Sequence, residues 1–369
     1  MILAALLLAA CGPDRGDTGL PPFPGDFVPP AGFWAWEGPD RLLVTEVDPT
    51  WQAGYFGVVD PASGAWIAEG GQAHTDAVAA CAGAFLLVIN RMGADNLQFV
   101  DPRAGTVVAQ WSTGEGSNPQ SVVFWGEEAW VTLYEETGLL VADWTTGTEI
   151  ARVDLSRWAD ADGIPEASQA FAWGGILWVT LERMDRTASW TPAGESVLLG
   201  IDPASRAVVV EIPLGLGDVN GGWTVEDGIA SSAASGALWE PDGTTLALDG
   251  GIVRVDLAAR AVAGVPLTEA QVGRDVRAAL TQGDRAWIST YDEDLDNRLE
   301  AWDLAHGRQV AALPEAFVAG WHRTGAGDVW IAEHSAARLR RIAWEDGAAL
   351  ATLPTLARPV SVRTCEAGL

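Results

Sequence analysis

The sequence predicts an all-β fold built from repeated four-stranded units, and three features support this prediction. The first is an apolar run that ends in Asp and leads into a short turn, and it recurs along most of the 369 residues. The second is another β-rich run upstream of each such Asp. The third is a content of 19 Trp, because large side chains fill the wide gaps between radially packed sheets.

The Asp-centred turn defines the repeat. Six copies read GVVDPASG, QFVDPRAG, LVADWTTG, LGIDPASR, VRVDLAAR and EAWDLAHG, with Asp60, Asp101, Asp143, Asp202, Asp256 and Asp303 at the turn. Successive Asp residues are 41 to 59 positions apart, and a degenerate seventh copy, RIAWEDG, ends at Gly347. Because Asp accepts hydrogen bonds from turn amides and Gly accepts positive φ, each copy predicts a β-hairpin.

A second recurrent run predicts a further strand in each unit. It reads AWVTLY from Ala129, LWVTLE from Leu177, AWISTY from Ala286 and VWIAEH from Val329. Together with alternating runs such as SVVFWG, these segments give four short strands per unit. Residues 33–369 therefore divide into seven units of about 48 residues, a period typical of propeller blades. We predict a seven-bladed β-propeller of four-stranded antiparallel blades, since radial stacking covers both faces of each small sheet.

The repeats resemble the YVTN and PQQ-like repeat families of β-propellers. FVDPRAGTVVAQW is similar to the PQQ-like repeat and AWVTLY to the YVTN strand. The resemblance covers residues 33–369 as a pattern, and it implies the fold and not an activity. Lipoprotein propellers of this general kind include a subunit of the outer-membrane protein assembly machinery. That family resembles an eight-bladed ring, whereas seven units are counted here.

The first residues predict a lipid anchor. Residues 1–10 (MILAALLLAA) are apolar, too short to span a bilayer and typical of a signal peptide. The segment LAAC resembles the bacterial lipobox, which implies that Cys11 is lipidated, although no Arg or Lys precedes the apolar run. The alternative is a buried Cys in an N-terminal strand. Because Gly12 and not Asp follows Cys11, the analogy implies a cell-envelope location at the outer membrane.

The segment between the anchor and the repeats predicts a flexible linker. Residues 12–32 contain 11 Gly and Pro among 21 positions, a composition that forms neither a helix nor a ladder strand. Residues 11–32 are therefore assigned to the lipidated Cys and its linker, and 33–369 to a single propeller domain.

The charge balance excludes several kinds of partner. The chain carries 50 acidic and 22 basic side chains, for a net charge of −28, and every basic residue is Arg. The acidity is a shortage of bases, not an excess of acids. Nucleic acids and anionic lipid surfaces both need clustered cations, so neither is expected as a partner.

Ring closure leaves two candidates for one innermost strand. Residues 33–37 and 360–364 both have the pattern of an innermost strand, and a seven-bladed ring has one vacancy. If the C-terminal strand fills it, Cys81 and Cys365 become neighbours in an oxidising compartment. We therefore predict a Cys81–Cys365 disulfide that locks the ring. The alternative is two separate buried thiols.

Chain parity separates a face of tight turns from a face of long loops. The Asp turns follow the third strand of each unit, so the long insertions fall on the opposite face, at 155–168, 183–196, 214–221, 231–250, 267–275 and 291–297. Long loops on a rigid scaffold are where binding usually resides. Trp158, Trp190 and Trp239 lie there among carboxylates, which suits a sugar, a cationic peptide or a protein partner. The alternative is that these Trp fold back onto the ring.

One loop predicts a metal site. Asp292, Asp294 and Asp296 place three carboxylates at alternating positions, and Ca²⁺ prefers several hard oxygen ligands. The Gly and the bidentate Glu of an EF-hand loop are absent, and the alternative is a solvated acidic loop. No cofactor other than Ca²⁺ is predicted.

Candidate catalytic residues come from a resemblance alone. Glu333 and His334 lie in VWIAEHSAARLRRI, which resembles a repeat of streptogramin-lyase-type propellers, where a Glu and a His perform acid–base chemistry. Only one blade shows it. The chain has no G-x-S-x-G, Walker loop, paired CxxC or dinucleotide fingerprint.

Three functional hypotheses follow. The first is a lipid-anchored binding or scaffold module that contacts a protein or a cell-envelope polymer through the loop-rich face of blades 4–6. The second is a propeller enzyme, either a quinoprotein-like oxidoreductase or a streptogramin-lyase-like or lactonase-like enzyme, which requires convergent polar groups at the mouth of the central channel. The third is a structural lipoprotein with no specific small ligand.

Overall fold

The computed structural model describes residues 20–23, 40–313 and 317–365, and most of these residues lie in seven four-stranded antiparallel sheets that form a closed ring. The predicted fold class, a seven-bladed β-propeller, is confirmed. The predicted signal peptide, Cys11 and the alternative innermost strand at 33–37 lie outside the described residues. No helix in the described ranges is long and apolar enough to cross a membrane.

The strands of the first half of the ring follow the repeats. Blade 1 begins with Arg41–Val47 (β1), Gly54–Asp60 (β2) and Ala65–Ala73 (β3). Blade 2 contains Ala77–Ala82 (β4), Phe85–Asn90 (β5), Asn96–Asp101 (β6) and Thr106–Ser112 (β7). Blade 3 contains Pro119–Trp125 (β8), Glu128–Leu133 (β9), Gly138–Asp143 (β10) and Glu149–Asp154 (β11), and is followed by the 3-10 turn Ser156–Trp158.

Blade 4 carries an inserted hairpin. Its strands are Ala167–Trp173 (β12), Ile176–Leu181 (β13), Val197–Asp202 (β16) and Ala207–Pro213 (β17). The insertion holds Met184–Asp185 (β14), the 3-10 turn Arg186–Ala188 and Thr191–Pro192 (β15). Blade 5 contains Thr224–Glu226 (β18), Ile229–Ala234 (β19), Gly251–Asp256 (β20) and Ala261–Thr268 (β21), and ends in the short helix Glu269–Val272 (α1).

The last two blades complete the circle. Blade 6 contains Asp275–Gln282 (β22), Arg285–Tyr291 (β23), Asn297–Asp303 (β24) and Arg308–Leu313 (β25). Blade 7 contains Val318–Arg323 (β26), Val329–Glu333 (β27), Arg338–Ile342 (β28) and Ala349–Pro354 (β29). The C-terminal strand Arg358–Cys365 (β30) then becomes the innermost strand of blade 1, where it pairs with β1 over the register Arg41↔Cys365 to Val47↔Arg358.

The predicted disulfide joins the two strands that ring closure brings together. Cys81 near the end of β4 and Cys365 at the end of β30 are bonded, with Cα atoms 5.9 Å apart and a sequence separation of 284. The crosslink ties blade 1 to blade 2 through their innermost strands. The C-terminal strand therefore fills the vacancy, and the prediction of a Cys81–Cys365 disulfide is confirmed.

Apolar clusters occupy the gaps between adjacent blades. Each of the seven hydrophobic clusters in the described part of the chain draws residues from two neighbouring blades. Large side chains fill these gaps, as the Trp content predicts, and the Trp residues of four second-strand runs are essentially inaccessible to solvent, namely Trp130, Trp178, Trp287 and Trp330. Because each blade buries both faces only against its neighbours, the stability of every blade depends on the whole ring.

The Asp turns form as the sequence predicts. The carboxylate of Asp143 accepts hydrogen bonds from the amides of Thr145 and Thr146, and the amide of Gly147 donates to the carbonyl of Asp143 at 2.8 Å. Gly147 has φ +70°, and a Cβ there would lie 2.6 Å from the Trp111 ring. Gly is therefore required at this turn both by its backbone and by packing.

Part of the predicted linker contacts the ring. Pro21 accepts a hydrogen bond from the amide of Gln110 on the outer strand of blade 2, and the amide of Phe23 donates to Thr145 of blade 3. The Phe23 ring is 7% exposed and packs 5.2 Å from the Phe99 ring, centroid to centroid. This short segment thus extends the apolar cluster between blades 2 and 3.

Replacing Cys81 and Cys365 together by Ser should lower the free energy of unfolding by about 2–5 kcal/mol, because the crosslink restricts the unfolded chain over a long loop. Urea unfolding of protein produced in an oxidising compartment measures the change. Cys11→Ser, which leaves the disulfide intact, is the control and should unfold like the unchanged chain. An unaltered unfolding midpoint in the double variant would contradict a locking role.

Candidate functional site

The two faces of the ring differ as chain parity predicts. The tight Asp turns lie between the third and fourth strands of a blade, on what we call the turn face. The connections after the second and fourth strands lie on the opposite side, which we call the loop face. The long segments between β11 and β12, β13 and β16, β17 and β18, and β19 and β20 are all on the loop face.

A cavity of ≈ 770 Å³ opens at the centre of the loop face, and we call it the loop-face pocket. Its wall is formed by residues from blades 2 to 6, from the ends of innermost strands and from the loops above them. The lining residues are Asp76, Arg91, Met92, Asn118, Gln120, Tyr134, Glu135, Ser168, Gln169, Glu182, Met184, Ser189, Trp190, Asp218, Asn220, Gly236, Leu238 and Arg277. The pocket thus reaches blades 2 and 3, beyond the predicted binding face of blades 4–6.

An ion pair and an amide form one side of the pocket. Arg91, which follows β5, donates to the Asp76 carboxylate at 2.6 Å and to the Asp76 carbonyl at 3.1 Å. A third guanidinium donor of Arg91 reaches Oε1 of Gln120 at 2.5 Å. Gln120 in turn donates to Oδ1 of Asn118 at 2.8 Å. These bonds fix the orientation of each side chain before any ligand arrives.

A buried carboxyl and a phenol form the next part of the wall. The Tyr134 hydroxyl donates to Oε2 of Glu182 at 2.6 Å. Burial raises the pKa of Glu182 to about 8, assisted by the charge of Asp218, while the hydrogen bond from Tyr134 opposes the shift. Burial also raises the pKa of Tyr134 well above its usual range. At neutral pH, therefore, Glu182 is mainly a neutral carboxylic acid and Tyr134 a neutral phenol.

Arg186 connects the inserted hairpin of blade 4 to this wall. Its guanidinium pairs with Glu135, and it also approaches Glu166 at 3.3 Å. The same group lies 4.8 Å from the centroid of Trp190 and 5.9 Å from that of Tyr134. A cation against aromatic faces is attracted to them, so these contacts hold the Trp190 ring in place.

A second ion-pair group lies across the pocket. Asp218 is 3.8 Å from Nη1 of Arg277, and Asp275 is 2.7 Å from Nε of the same guanidinium. Burial raises the pKa of each carboxyl to about 6, although Arg277 opposes the shift in both. Both groups are therefore mainly ionised at neutral pH and balanced in part by Arg277.

The structure separates the three Trp residues predicted to bind. Trp190 lines the pocket, half-buried. Trp158 packs against the apolar cluster between blades 3 and 4, with Arg157 over its ring at 5.2 Å. Trp239 forms a β-bridge with Leu246 within its own loop and does not line the pocket. The alternative of folding back onto the ring thus describes Trp158, and Trp190 is the one of the three that lines the pocket.

One of the three carboxylates predicted to bind Ca²⁺, that of Asp292, has other contacts. Oδ1 of Asp292 accepts from the amides of Asp294 and Asp296, at 3.1 and 2.9 Å, and Oδ2 pairs with Arg274 at 2.8 Å. Within the described ranges, no three His, Cys, Asp or Glu side chains are grouped as metal ligands. Calcium binding by this loop remains a prediction that the geometry does not support.

Glu333 and His334 lie at the loop-face end of blade 7, outside the residues that line the pocket. Glu333 pairs with Arg338 and with Arg340. His334 is buried, its Nδ1 lies 3.1 Å from the carbonyl oxygen of Pro359, and burial lowers its pKa. Both side chains are thus held by contacts within the protein. A catalytic role for them remains a prediction.

Apart from Trp190, the residues that line the pocket are not among the candidates predicted from the sequence, although a signal for some of them exists. The recurrent second-strand runs place a residue at the loop-face end of each blade, and LLVINR, AWVTLY and LWVTLE end in Arg91, Tyr134 and Glu182. Apolar positions in these runs are similar from blade to blade, whereas the last position varies in chemistry. A polar, variable residue at a fixed position of a repeat could have indicated the central site.

Comparison with known proteins establishes the fold alone. No protein-family model matches the chain, and no curated protein sequence is similar to it. Among solved structures, hydrazine synthase of Kuenenia stuttgartiensis is similar with a TM-score of 0.55 and 14% identity, over 76% of this chain and 86% of that chain.

Two further structures show the same architecture. Dihydro-heme d1 dehydrogenase NirN in complex with DHE has a TM-score of 0.55 and 15% identity, over 95% of this chain and 79% of that chain. Apo AztD from Citrobacter koseri has a TM-score of 0.54 and 10% identity, over 88% of this chain and 97% of that chain. At such low identity, the similarities carry no activity to this chain.

Glu182→Gln should weaken the dependence of stability on pH. Because the pKa of Glu182 is about 8 in the folded protein and the ordinary pKa of a Glu side chain is 4.5, the folded state holds a proton that the unfolded state loses between these values. The free energy of unfolding therefore falls as pH rises through this window. Urea unfolding at about pH 5 and about pH 8.5 measures the decline, on the order of a few kcal/mol for this group.

A matched control separates the contribution of Glu182 from the pH dependence of stability that other groups cause. Burial also raises the pKa of Glu46, to about 7, so the Gln variant should retain part of the decline. Asp242→Asn should retain all of it, since backbone hydrogen bonds hold the pKa of Asp242 at about 2, below the window. Equal slopes in Glu182→Gln and the unchanged chain would show that Glu182 is ionised throughout.

Proposed function

We propose that the protein is a lipid-anchored binding module of the cell envelope, which holds its partner at the loop face. The observation that supports this most is the loop-face pocket, a cavity of ≈ 770 Å³ lined by polar side chains and Trp190. Pockets of this volume with a few fixed polar groups are typical ligand sites. The partner is a protein or a cell-envelope polymer that reaches into the pocket.

The inserted hairpin of blade 4 is the feature that makes this face suitable. Its Arg186 bonds to the carbonyl of Tyr134 at 3.1 Å, so the loop is attached to blade 3 as well as to blade 4. Asp185 accepts from the amides of Thr187 and Ala188 and caps the turn before Trp190. An aromatic anchor on a preorganised loop loses little conformational entropy on binding.

Lipid attachment would keep this acidic protein at a membrane. The described part of the chain has no apolar helix that could span one. A net charge of −28 opposes adsorption to anionic lipid, so a covalent anchor at Cys11 supplies the attraction that the surface lacks. The enzyme hypothesis is supported only by the polar groups at the mouth of the channel. Because binding requires nothing further of the pocket, we favour a binding function.

Trp190→Ala should weaken partner capture. A photo-crosslinking amino acid placed at the exposed Ser189, on the rim of the pocket, should form a crosslink in cells, and the same amino acid at Glu127 on the turn face should not. In the Ser189 background, Trp190→Ala should reduce the crosslink by about tenfold, since buried aromatic anchors carry much of the binding energy.

Trp239→Ala is the matched control, because Trp239 is a half-buried Trp of the same face outside the pocket lining. It should leave crosslinking unchanged. Equal crosslinking in all three proteins, or crosslinks from Glu127 as strong as those from Ser189, would count against the loop face as the binding surface.

Cys11→Ser should move the protein from the membrane fraction to the soluble fraction, because the thiol that carries the lipid is removed while the ring is unchanged. Fractionation of cells followed by immunoblotting measures the distribution. Gly12→Ala is the control and should stay in the membrane fraction. A Cys11→Ser protein that still sediments with membranes would show that another feature attaches it.

A further inference from the structure

The charged side chains of the loop-face pocket are already paired within the protein. Asp76 binds Arg91 at 2.6 Å, and Asp218 lies 3.8 Å from Arg277. Glu135 pairs with Arg186. A charged ligand would give up its hydration without finding an unpaired counter-charge, which is costly. The electrostatics of the pocket therefore favour an uncharged ligand.

The fourth acidic side chain of the wall is held as a neutral hydrogen-bonding group. Glu182 is 6% exposed and accepts from Tyr134, and burial raises its pKa to about 8. A protonated carboxyl both donates and accepts hydrogen bonds, as a hydroxyl group does. This chemistry matches a ligand whose polar groups are hydroxyls more closely than it matches an ammonium or a carboxylate.

An amide on the pocket floor has hydrogen-bonding capacity to spare. Gln169 lies on β12, the innermost strand of blade 4, and lines the pocket. Its side-chain amide makes no hydrogen bond within the described part of the chain. Such an amide offers two donors and one acceptor, enough to bind adjacent hydroxyls of one ring.

Trp190 supplies an apolar surface beside these polar groups. Its ring lies roughly parallel to that of Tyr134, with 6.4 Å between the centroids and 16° between the planes, and Arg186 lies against it. A sugar ring has one face of C–H groups, which packs on an aromatic face while its hydroxyls point sideways to polar partners. An oriented indole and an unbonded amide that line the same pocket supply the two kinds of contact that such a ligand needs.

We propose that the loop-face pocket recognises an uncharged saccharide, with Trp190 under a sugar ring and Gln169 and Glu182 bonding to its hydroxyls. This inference rests on the proposed function and names the class of its ligand. The cavity of ≈ 770 Å³ accommodates a short oligosaccharide segment, such as the end of a cell-envelope glycan. The site would distinguish sugars by the positions of their hydroxyls, because a polar group left without a partner in the pocket lowers the affinity for the sugar.

An array of immobilised glycans tests the ligand class directly. The array carries uncharged oligosaccharides of glucose, galactose, mannose, rhamnose and N-acetylglucosamine, together with amine-bearing and acidic ones. We expect binding to uncharged members, and calorimetry with the strongest of these as a soluble oligosaccharide should give a Kd that changes little between about 50 and about 500 mM salt. Binding restricted to amine-bearing or acidic glycans, or no binding to any member, would overturn the proposal.

Three single variants assign the contacts. Trp190→Ala and Gln169→Ala should each weaken binding of the selected oligosaccharide by about tenfold or more, and Trp239→Ala should leave its Kd unchanged. Thermal unfolding of each variant checks that the ring is intact. Unchanged affinity in both pocket variants would place the glycan elsewhere and overturn the assignment.

The glycan array tests the ligand class and the in-cell crosslinks test the proposed function, so a negative result in one does not require a negative result in the other. If the array is negative while the Ser189 crosslink depends on Trp190 and joins a protein, the binding module stands and the saccharide is wrong. If both are negative, the proposed function itself is wrong.

Discussion

Closure of the ring is the constraint on which the rest of this structure depends. A four-stranded blade is too small to bury either face alone, and each of the seven apolar clusters in the described part of the chain is shared by two blades. A gap at any interface would expose two of these surfaces to water. Pairing of β30 with β1 closes the gap between the chain ends, and the Cys81–Cys365 bond ties that closure to blade 2.

The closed ring also explains how residues far apart in sequence form one pocket. Asp76 and Arg277 are some two hundred residues apart, yet both lie at the loop-face ends of innermost strands. Because every blade repeats the same path, equivalent positions converge on the central axis. Ion pairs then fix the side chains there, so the wall is organised by bonds within the protein. A rigid ring with variable loops lets binding chemistry change without altering the blades.

The sequence predicts the blades well because their signals are local. Asp143 and Gly147 occupy one turn, and the apolar alternation of each strand depends only on its own residues. Even where Gly is missing from the repeat, Arg206 and Arg260 adopt positive φ of 57°, so the turn survives substitution. The disulfide was predictable on one condition, that the C-terminal strand closes the ring, because Cys81 and Cys365 are then neighbours.

The candidate site was harder to predict because it depends on contacts between blades. Nothing local distinguishes Trp190 from Trp158, since each has an Arg cation over its ring. What separates them is that Trp190 lines the pocket, whereas Trp158 packs against the apolar cluster between blades 3 and 4. The acidic loop at Asp292 has a pattern that fits a metal site or a solvated loop, and the pairing of that carboxylate with Arg274, eighteen residues earlier in the chain, is not visible in the pattern. Tertiary partners decide the role of such groups, and composition does not.

A crystal structure of the protein with its strongest-binding oligosaccharide would show whether the loop-face pocket holds the ligand. The expected result is a sugar ring stacked on Trp190, with hydroxyls within hydrogen-bond distance of Gln169 and Glu182. Density for the sugar on the turn face or on the outer rim of the blades, with the pocket filled only by water, would contradict it.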